Sequence, residues 1–234
     1  MRAPRDHNLT YSLVESLGQA IVMGEYEREP FPTEADLTKH FGMSRSVTRE
    51  AVKMLTAKGL LSARPRQGTS VEPEDRWNLF DPDVLRWLLD RKFSLKLLAD
   101  FTEMRLAIEP TAAEFAARRA DEAALAGIRR GIERMKAATR GEDDPLAADI
   151  AFHVAILDAT NNPFFAQLHE LVNTALRISI RFTNRIKGRT ASVRAHEAVM
   201  NAIIARDPER AAEAMRGILN EVLKLIAAAA RKQT

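Results

Sequence analysis

Cysteine is absent from the 234 residues of this chain. Its absence excludes a disulfide scaffold, a zinc site built on thiolates and a cysteine nucleophile. The chain also lacks an apolar run of the roughly 18–20 residues that a membrane-spanning helix needs, and its first residues lack the apolar core of a signal peptide. Glycine and proline contribute only 10 residues each, too few for a linker or a low-complexity chain. We therefore expect a globular cytoplasmic protein of one or two domains.

A large net charge is also missing, since the formal value is only +3. The positive charge is nevertheless concentrated, because residues 39–66 carry seven bases and a single acid, Glu50. A local positive patch of this kind favours an anionic partner, with nucleic acid as the first candidate. The alternative is a solvated basic face of a helix. The seven bases are Lys39, Arg45, Arg49, Lys53, Lys58, Arg64 and Arg66.

The N-terminal third of the chain predicts three helices followed by a hairpin. Thr33 is placed to cap the second helix, with Asp36 three residues later as an acidic variant of the capping box. Ser44 is placed to cap the third helix after a short turn. Two β-prone runs, 60–64 and 69–71, then flank a glycine-containing turn. This order of elements is that of a winged helix-turn-helix.

The remainder of the chain predicts helices alone, because it is rich in alanine and leucine and has few β-branched runs. The fold class is therefore mainly α, with an N-terminal winged helix-turn-helix and a C-terminal all-α bundle. We expect a DNA-binding domain over 1–75, an interdomain linker helix within 76–93, and a helical effector-binding and dimerisation domain over 94–234. The predicted helices span 82–91, 94–119, 122–139, 145–160, 163–186, 190–205 and 208–231.

The third helix has the side chains that reading a DNA base requires. Arginine reaches guanine edges with two hydrogen bonds, and serine or threonine hydroxyls bond phosphates or bases. The hairpin adds further basic side chains and a glycine that allows close approach to the DNA backbone. The predicted DNA-binding residues are Thr33, Ser44, Arg45, Ser46, Thr48, Arg49, Arg64, Arg66, Gln67 and Gly68.

Residues 32–71 resemble the DNA-binding domain of GntR-type bacterial transcription regulators. The resemblance is carried by the Thr-x-x-Asp-Leu helix start after Pro32, the pair Ser44-Arg45 and the hairpin glycine Gly68. It implies DNA contacts from the third helix and the hairpin tip. The chain departs from the pattern at Ala35, where many members have an arginine, so one phosphate or base contact of the family is missing.

Asp149 and His153 are four residues apart on a predicted helix and therefore share a face. A carboxylate and an imidazole in this arrangement are able to bind one metal ion, and His196 is available to complete the site. The alternative is that Asp149 and His153 simply form a hydrogen bond with nothing bound. The sequence leaves both interpretations open.

Residues 97–226 resemble the ligand-binding domain of the FadR/FCD subgroup of these regulators. In that subgroup an aspartate, two histidines and usually a further histidine in the last helix hold a divalent metal that helps to bind a carboxylate effector. The resemblance implies that Asp149, His153 and His196 hold zinc or a similar ion. The last-helix position is Ile218 in this chain, so we expect three protein ligands and a weakly held metal.

The helical part of the chain also offers groups for an organic anion. Arg105 lies in an otherwise apolar stretch, and Asn173, Arg177 and Arg181 recur at spacings of four residues. Guanidinium groups bind carboxylates and amides suit hydroxyls, so this stripe predicts a sugar acid or a similar carboxylate. The alternative is a solvent-facing stripe. The segment 76–90 resembles the linker of the family's repressors that respond to D-galactonate, which implies an aldonate effector.

Three functions are compatible with these features. The first is a homodimeric, ligand-responsive transcription regulator, expected to repress a sugar-acid operon until its effector binds. The second is a metal-dependent hydrolase that uses the Asp/His/His group, although no general base is evident near it. The third is an architectural DNA-binding protein without an effector. The first function accounts for both halves of the chain, so we expect no enzymatic activity.

Overall fold

The computed structural model describes residues 4–27, 29–64, 68–91, 95–174, 176–177 and 191–231, with the side chains of 4–8 left outside the description. The chain divides into two compact units, Met1–Phe93 and Ser94–Thr234. The first contains a winged helix-turn-helix and the second is helical, which confirms the predicted fold class. Among the described residues, no helix is both long enough and apolar enough to cross a membrane.

The first unit is built around a helix-turn-helix whose caps follow the predicted pattern. Thr33 and Asp36 form a reciprocal capping box at the start of the second helix, and Gly42 ends that helix with a φ of 62°. Ser44 then caps the third helix by accepting a hydrogen bond from the backbone N–H of Val47. The elements are α1 (Pro4–Val22), α2 (Glu34–Phe41), α3 (Arg45–Ala57), β1 (Leu61–Arg64), β2 (Gly68–Val71) and α4 (Pro82–Arg91).

Helix α4, which the sequence predicted as an interdomain linker, packs against α1 within the first unit. The indole of Trp87 lies over Gly18, where any Cβ would stand 2.3 Å from the ring. Arg86 donates two hydrogen bonds to the carboxylate of Glu15, at 2.7 and 2.6 Å. Apolar contact and a bidentate ion pair therefore hold α4 to the DNA-reading unit.

The second unit is a set of helices around an alanine-rich core. Small side chains allow close approach of the helix axes; a Cβ at Gly131 would lie 2.9 Å from the Cα of Phe152. The main pairs are the first helix with the last, and the second with the third. The helices are α5 (Leu95–Arg119), α6 (Glu122–Thr139), α7 (Pro145–Ala159), α8 (Pro163–Ala166), α9 (Val193–Ile204) and α10 (Pro208–Ala230).

The predicted continuous helix over 163–186 is wrong. Helix α8 ends at Ala166, a turn follows at 167–168, and residues 169–174 are helical again. The backbone N–H of Leu168 bonds to the carbonyl of Phe165 only three residues earlier, which tightens the chain into a turn. The later part of the predicted helix lies outside the described residues.

Candidate functional site

The exposed start of α3 carries most of the predicted DNA-binding side chains. Ser44, Arg45, Ser46 and Arg49 are all exposed. The hydroxyls of Ser44 and Ser46 lie 2.9 Å apart, next to the free backbone N–H groups that begin the helix. Such a helix end attracts a phosphate through its N–H groups and dipole. The structure therefore presents this end of α3 to solvent in a form suited to DNA.

Thr48, also predicted to contact DNA, is fully buried at 0% exposure. Its hydroxyl donates to the backbone carbonyl of Ser44 at 3.2 Å and accepts from the Thr38 hydroxyl at 3.1 Å. The residue therefore ties α2 to α3 and offers no surface to DNA. This prediction is corrected: the period of the helix turns Thr48 toward α2, while Arg45 and Arg49 stay outside.

The hairpin pairs β1 and β2 in an antiparallel register that places Arg64 opposite Gly68. Gly68 has a φ of 83° and open space where a Cβ would lie, so backbone conformation rather than crowding requires glycine here. Arg64 is exposed. Arg66 and Gln67, the predicted tip contacts, lie outside the described residues. Thr33 is exposed at the start of α2, where its hydroxyl is engaged with Asp36.

Arg45, Arg49 and Arg64 are the exposed arginines of this surface. Among the residues that the structure describes, no carboxylate lies within 4.0 Å of Arg45, Arg49 or Arg64. By contrast, Lys53 on the same helix lies 3.5 Å from Glu50. Unpaired guanidinium groups on an exposed helix end are suited to phosphate and base contacts. An internal salt bridge would compete with those contacts and weaken them.

In the second unit, Asp149, His153 and His196 converge into one buried cluster. Asp149 and His153 come from α7, four residues apart, and His196 comes from the first turns of α9. The Oδ1 atom of Asp149 lies 3.0 Å from Nε2 of His196 and 3.6 Å from Nε2 of His153. The three ligand atoms all lie within 4.8 Å of one another. The cluster is thus compact enough for a single cation.

Electrostatics inside the cluster attract positive charge. Burial alone would raise the pKa of Asp149, but the neighbouring His196 lowers it below its ordinary value. Burial would likewise lower the pKa of His196, but the Asp149 carboxylate raises it above its ordinary value. Without a metal ion, a proton on His196 is therefore the competing positive charge at this position.

The hydrogen-bonding state of two cluster atoms indicates whether a metal ion fits between them. Oδ1 of Asp149 and Nε2 of His196, like Nδ1 of His153, are buried and have no hydrogen bond of adequate geometry among the described residues. Nδ1 of His196 lies 2.8 Å from the backbone carbonyl of Ser192. Because that carbonyl only accepts, Nδ1 carries the proton of the neutral ring and leaves a lone pair on Nε2. Two buried acceptors that face each other are the arrangement that a divalent ion satisfies.

Ile218, the aliphatic residue at the position where the family usually has a histidine, lies on α10. Its side chain is half-buried and packs against the hydrophobic core of the second unit. An aliphatic side chain supplies no ligand atom. The set of protein donors that fits a metal is accordingly one carboxylate and two imidazoles.

Arg105, a predicted effector contact, is buried with 2% exposure and forms an ion pair with Glu109 on the same helix. Its partner Glu109 lies 2.6 Å from Nδ1 of His153, so Arg105 lies beside the cluster. Nε and Nη2 of Arg105 are both committed to Glu109, at 2.5 and 3.3 Å. An effector carboxylate would therefore share this arginine with an internal carboxylate.

Glu109 is the residue of this site that the sequence prediction missed. It is 1% exposed, and its Oε2 lies 2.6 Å from Nδ1 of His153. Burial would raise its pKa, but Arg105 and His153 outweigh this effect and hold the pKa at about 2. The signal in the sequence was the spacing of Arg105 and Glu109 by four residues within an apolar stretch.

The remaining predicted effector residues are not brought to the cluster by any contact that the structure describes. Arg177 is exposed, and its Nε donates to Oδ1 of Asn173 at 3.0 Å. Arg181 lies outside the described residues. His169 is half-buried, with its Nε2 lying 2.8 Å from the carboxylate of Asp158.

Comparison with known proteins assigns each unit to a family. Residues 9–71 match the gntR family of bacterial regulatory proteins, and residues 100–221 match the FCD domain. The first match covers α1 to β2 and the second covers the helices that carry the Asp149 cluster. All the predicted metal and DNA residues lie within these two matches.

Individual relatives align over nearly the whole chain. The galactonate operon transcriptional repressor of Escherichia coli K12 is 32% identical over 88% of this chain and 92% of its own length. YieP, an uncharacterized HTH-type transcriptional regulator of the same strain, is 33% identical over 91% of this chain and 93% of its own length. The structure of Lar from Listeria monocytogenes has a TM-score of 0.54 at 18% identity, covers 97% of this chain and 99% of its own, and supports the fold.

Proposed function

Because the chain belongs to the gntR family of bacterial regulatory proteins and is a transcription regulator with an FCD effector-binding domain, we propose that it represses a sugar-acid operon. Its effector is an aldonate such as galactonate or a related carboxylate. The 32% identity to a galactonate operon repressor supports this effector class. The chain acts in the cytoplasm, where the DNA lies.

The observation that carries the proposal is the buried, convergent group of Asp149, His153 and His196 in a chain that also has an exposed DNA-reading helix. A divalent ion held by these three residues would supply a fixed positive charge inside the helical unit. Carboxylate and hydroxyl oxygens of a sugar acid are hard donors that complete such a coordination sphere. Arg105 adds a second positive group beside it, and Arg177 and Arg181 are secondary candidates for the effector.

A homodimer follows from the length of DNA that one such helix reads. A single α3 contacts only a few base pairs, so a specific operator requires two recognition helices and two half-sites. The effector releases DNA by binding more tightly to a dimer whose two heads do not match the half-site spacing. The sign and size of the difference in effector affinity between the two dimer arrangements determine how far the effector changes the affinity for DNA.

A hydrolase is disfavoured by the state of Glu109. Its carboxylate contacts the cluster, and its two oxygens face Arg105 and His153. A general base must instead have a lone pair directed at a bound water. We therefore propose that the chain is not an enzyme, and that a purely architectural role would leave the buried cluster unused.

The DNA half of the proposal is tested by replacing Arg49 with alanine. DNA selected from a random pool by the unaltered chain serves as the probe in a gel-shift titration. Loss of a bidentate base contact costs about 1–3 kcal/mol, so the Arg49→Ala variant should bind roughly ten- to a hundredfold more weakly. The matched control is Lys224→Ala, an exposed base in the second unit that pairs with Glu221. Equal affinities for Arg49→Ala and the unaltered chain would remove α3 as the reading helix.

The effector half is tested by a thermal-shift screen of sugar acids and dicarboxylates, run with and without a chelator. A true effector should raise the melting temperature only when metal is present and should release the selected DNA. His153→Ala should keep DNA affinity and lose release. His169→Ala is the control, because His169 is half-exposed and pairs with Asp158 instead. Normal release of the His153→Ala variant would contradict the proposed receptor site.

A further inference from the structure

Glu109 is a buried carboxylate whose two oxygens are both occupied. Its Oε1 accepts from Nε of Arg105 at 2.5 Å, and its Oε2 lies 3.3 Å from Nη2 of the same arginine and 2.6 Å from Nδ1 of His153. Glu109 and Arg105 lie on α5, whereas His153 lies on α7. The carboxylate therefore joins two helices beside the cluster.

The hydrogen-bond partner of Nδ1 determines which ring nitrogen of His153 carries the proton and which carries the lone pair that faces the cluster. A neutral imidazole has one N–H and one lone pair, and an ionised carboxylate only accepts hydrogen bonds. The Glu109 carboxylate, whose Oε2 lies 2.6 Å from Nδ1, offers that nitrogen an acceptor, so it favours a proton on Nδ1 and a lone pair on Nε2. That Nε2 lies 3.6 Å from Oδ1 of Asp149. His196 reaches the same state through the Ser192 carbonyl.

Arg105 makes this arrangement possible in a buried position. An ionised carboxylate without a partner is costly to bury, and the cost falls when a guanidinium hydrogen-bonds to it. The Arg105–Glu109 pair is neutral in sum, so Asp149 remains the net negative group that faces a cation. The helix period brings the two partners together, because residues four apart share a face.

We propose that Glu109, held by Arg105, is a positioning residue that sets the tautomer and ring orientation of His153 for metal binding. This inference rests on the metal site of the proposed function. Glu109 does not itself ligate the ion. Outer-shell partners of this kind typically contribute about ten- to a hundredfold to metal affinity.

The test compares Glu109→Gln with Glu114→Gln in the full chain. Glu114 is also on α5, and it pairs with an arginine four residues away, as Glu109 does. Its partner is Arg118, and this pair is far more exposed. Zinc and cobalt affinities are measured by chelator competition. The Glu109→Gln variant should bind about ten- to a hundredfold more weakly, and Glu114→Gln should match the unaltered chain. The visible spectrum of bound cobalt should change only in the Glu109→Gln variant.

A second measurement does not depend on a variant that folds. In the metal-free, unaltered chain, the ¹⁵N shifts of the His153 ring at a pH where it is neutral report its tautomer. A proton on Nδ1 supports the proposal, and a proton on Nε2 overturns it. Equal metal affinity for Glu109→Gln and the unaltered chain also overturns it while leaving the metal site intact. If the unaltered chain binds neither metal, both this inference and the metal part of the proposed function fail.

Discussion

Gly131 provides the sharpest test of how the second unit is packed. A Cβ at this position would lie 2.9 Å from the Cα and 3.1 Å from the Cβ of Phe152, whereas ordinary contact begins at 3.4 Å. The nearest atom is backbone, so α6 and α7 must separate by about half an ångström to accept Gly131→Ala. Overpacking of this kind costs roughly 1–3 kcal/mol.

A second glycine on α6 isolates that cost. Gly127 lies one turn earlier, and a Cβ there would meet its nearest neighbours at 3.7 and 3.9 Å, which is ordinary contact. Both substitutions gain about 1 kcal/mol of helix propensity. Because this gain is common to both, the difference in unfolding free energy between Gly127→Ala and Gly131→Ala should be about 1–3 kcal/mol, the cost of overpacking alone.

The assay is thermal or urea unfolding of the two variants beside the unaltered chain. Gly127→Ala should be stabilised, and Gly131→Ala should melt below it by about 2–4 °C for each kcal/mol in a chain of this size. Since the ring of Phe152 packs 5.1 Å from that of His196, Gly131→Ala should also weaken zinc binding. Equal stability of the two variants would refute the close packing of α6 on α7.

Three further predictions concern the first unit. The Arg86 hydrogen bonds lower the pKa of Glu15 below its ordinary value of 4.5. The Glu15–Arg86 pair therefore contributes stability above pH 4.5, and this contribution is lost as the pH falls through the lowered pKa. Glu15→Gln should flatten this part of the acid unfolding curve, and an unchanged curve would count against the Glu15–Arg86 pair. Gly59→Ala should lower the melting temperature measurably, since Gly59 has a φ of 76° and a Cβ would lie 2.7 Å from the carbonyl oxygen of Arg76; a neutral effect would contradict the turn. Thr48→Val should destabilise the unit by about 1–3 kcal/mol because it removes the two hydrogen bonds of the Thr48 hydroxyl, each worth about 0.5–1.5 kcal/mol, and selective loss of DNA affinity at unchanged stability would restore Thr48 as a contact.

Local signals in the sequence were sufficient for the elements of the first unit. The Thr33–Asp36 capping box and the Ser44 cap both lie where their spacing predicted them, because capping depends on residues three apart along the chain. The exposure of Arg45 and Arg49 follows from the same helical period. Thr48 shows the limit of that reasoning, since its burial depends on the distance between α2 and α3.

In the second unit, too, local spacing predicted some features and helix packing decided others. The spacing of Asp149 and His153 predicted a shared face of α7, and the structure places them there. The sequence offered His196 as a third ligand and the resemblance implied its approach, but no local pattern relates residues on α7 and α9. Glu109 was missed because an acidic residue on a helix is ordinarily solvated, and only the packing of α5 against α7 buries it.

The sequence by itself determined most of the helices, although not the turn at 167–168, and also their caps, the positive charge of the DNA-reading segment and the family to which both halves belong. These properties depend on neighbours within one or two turns of the chain, where spacing and side-chain type are sufficient. Only the tertiary structure decided that Thr48 is internal, that Arg105 is paired with Glu109, and that the three ligand atoms lie within 4.8 Å of one another. Those facts depend on distances between segments far apart in the chain, which burial and packing set and which no local pattern encodes.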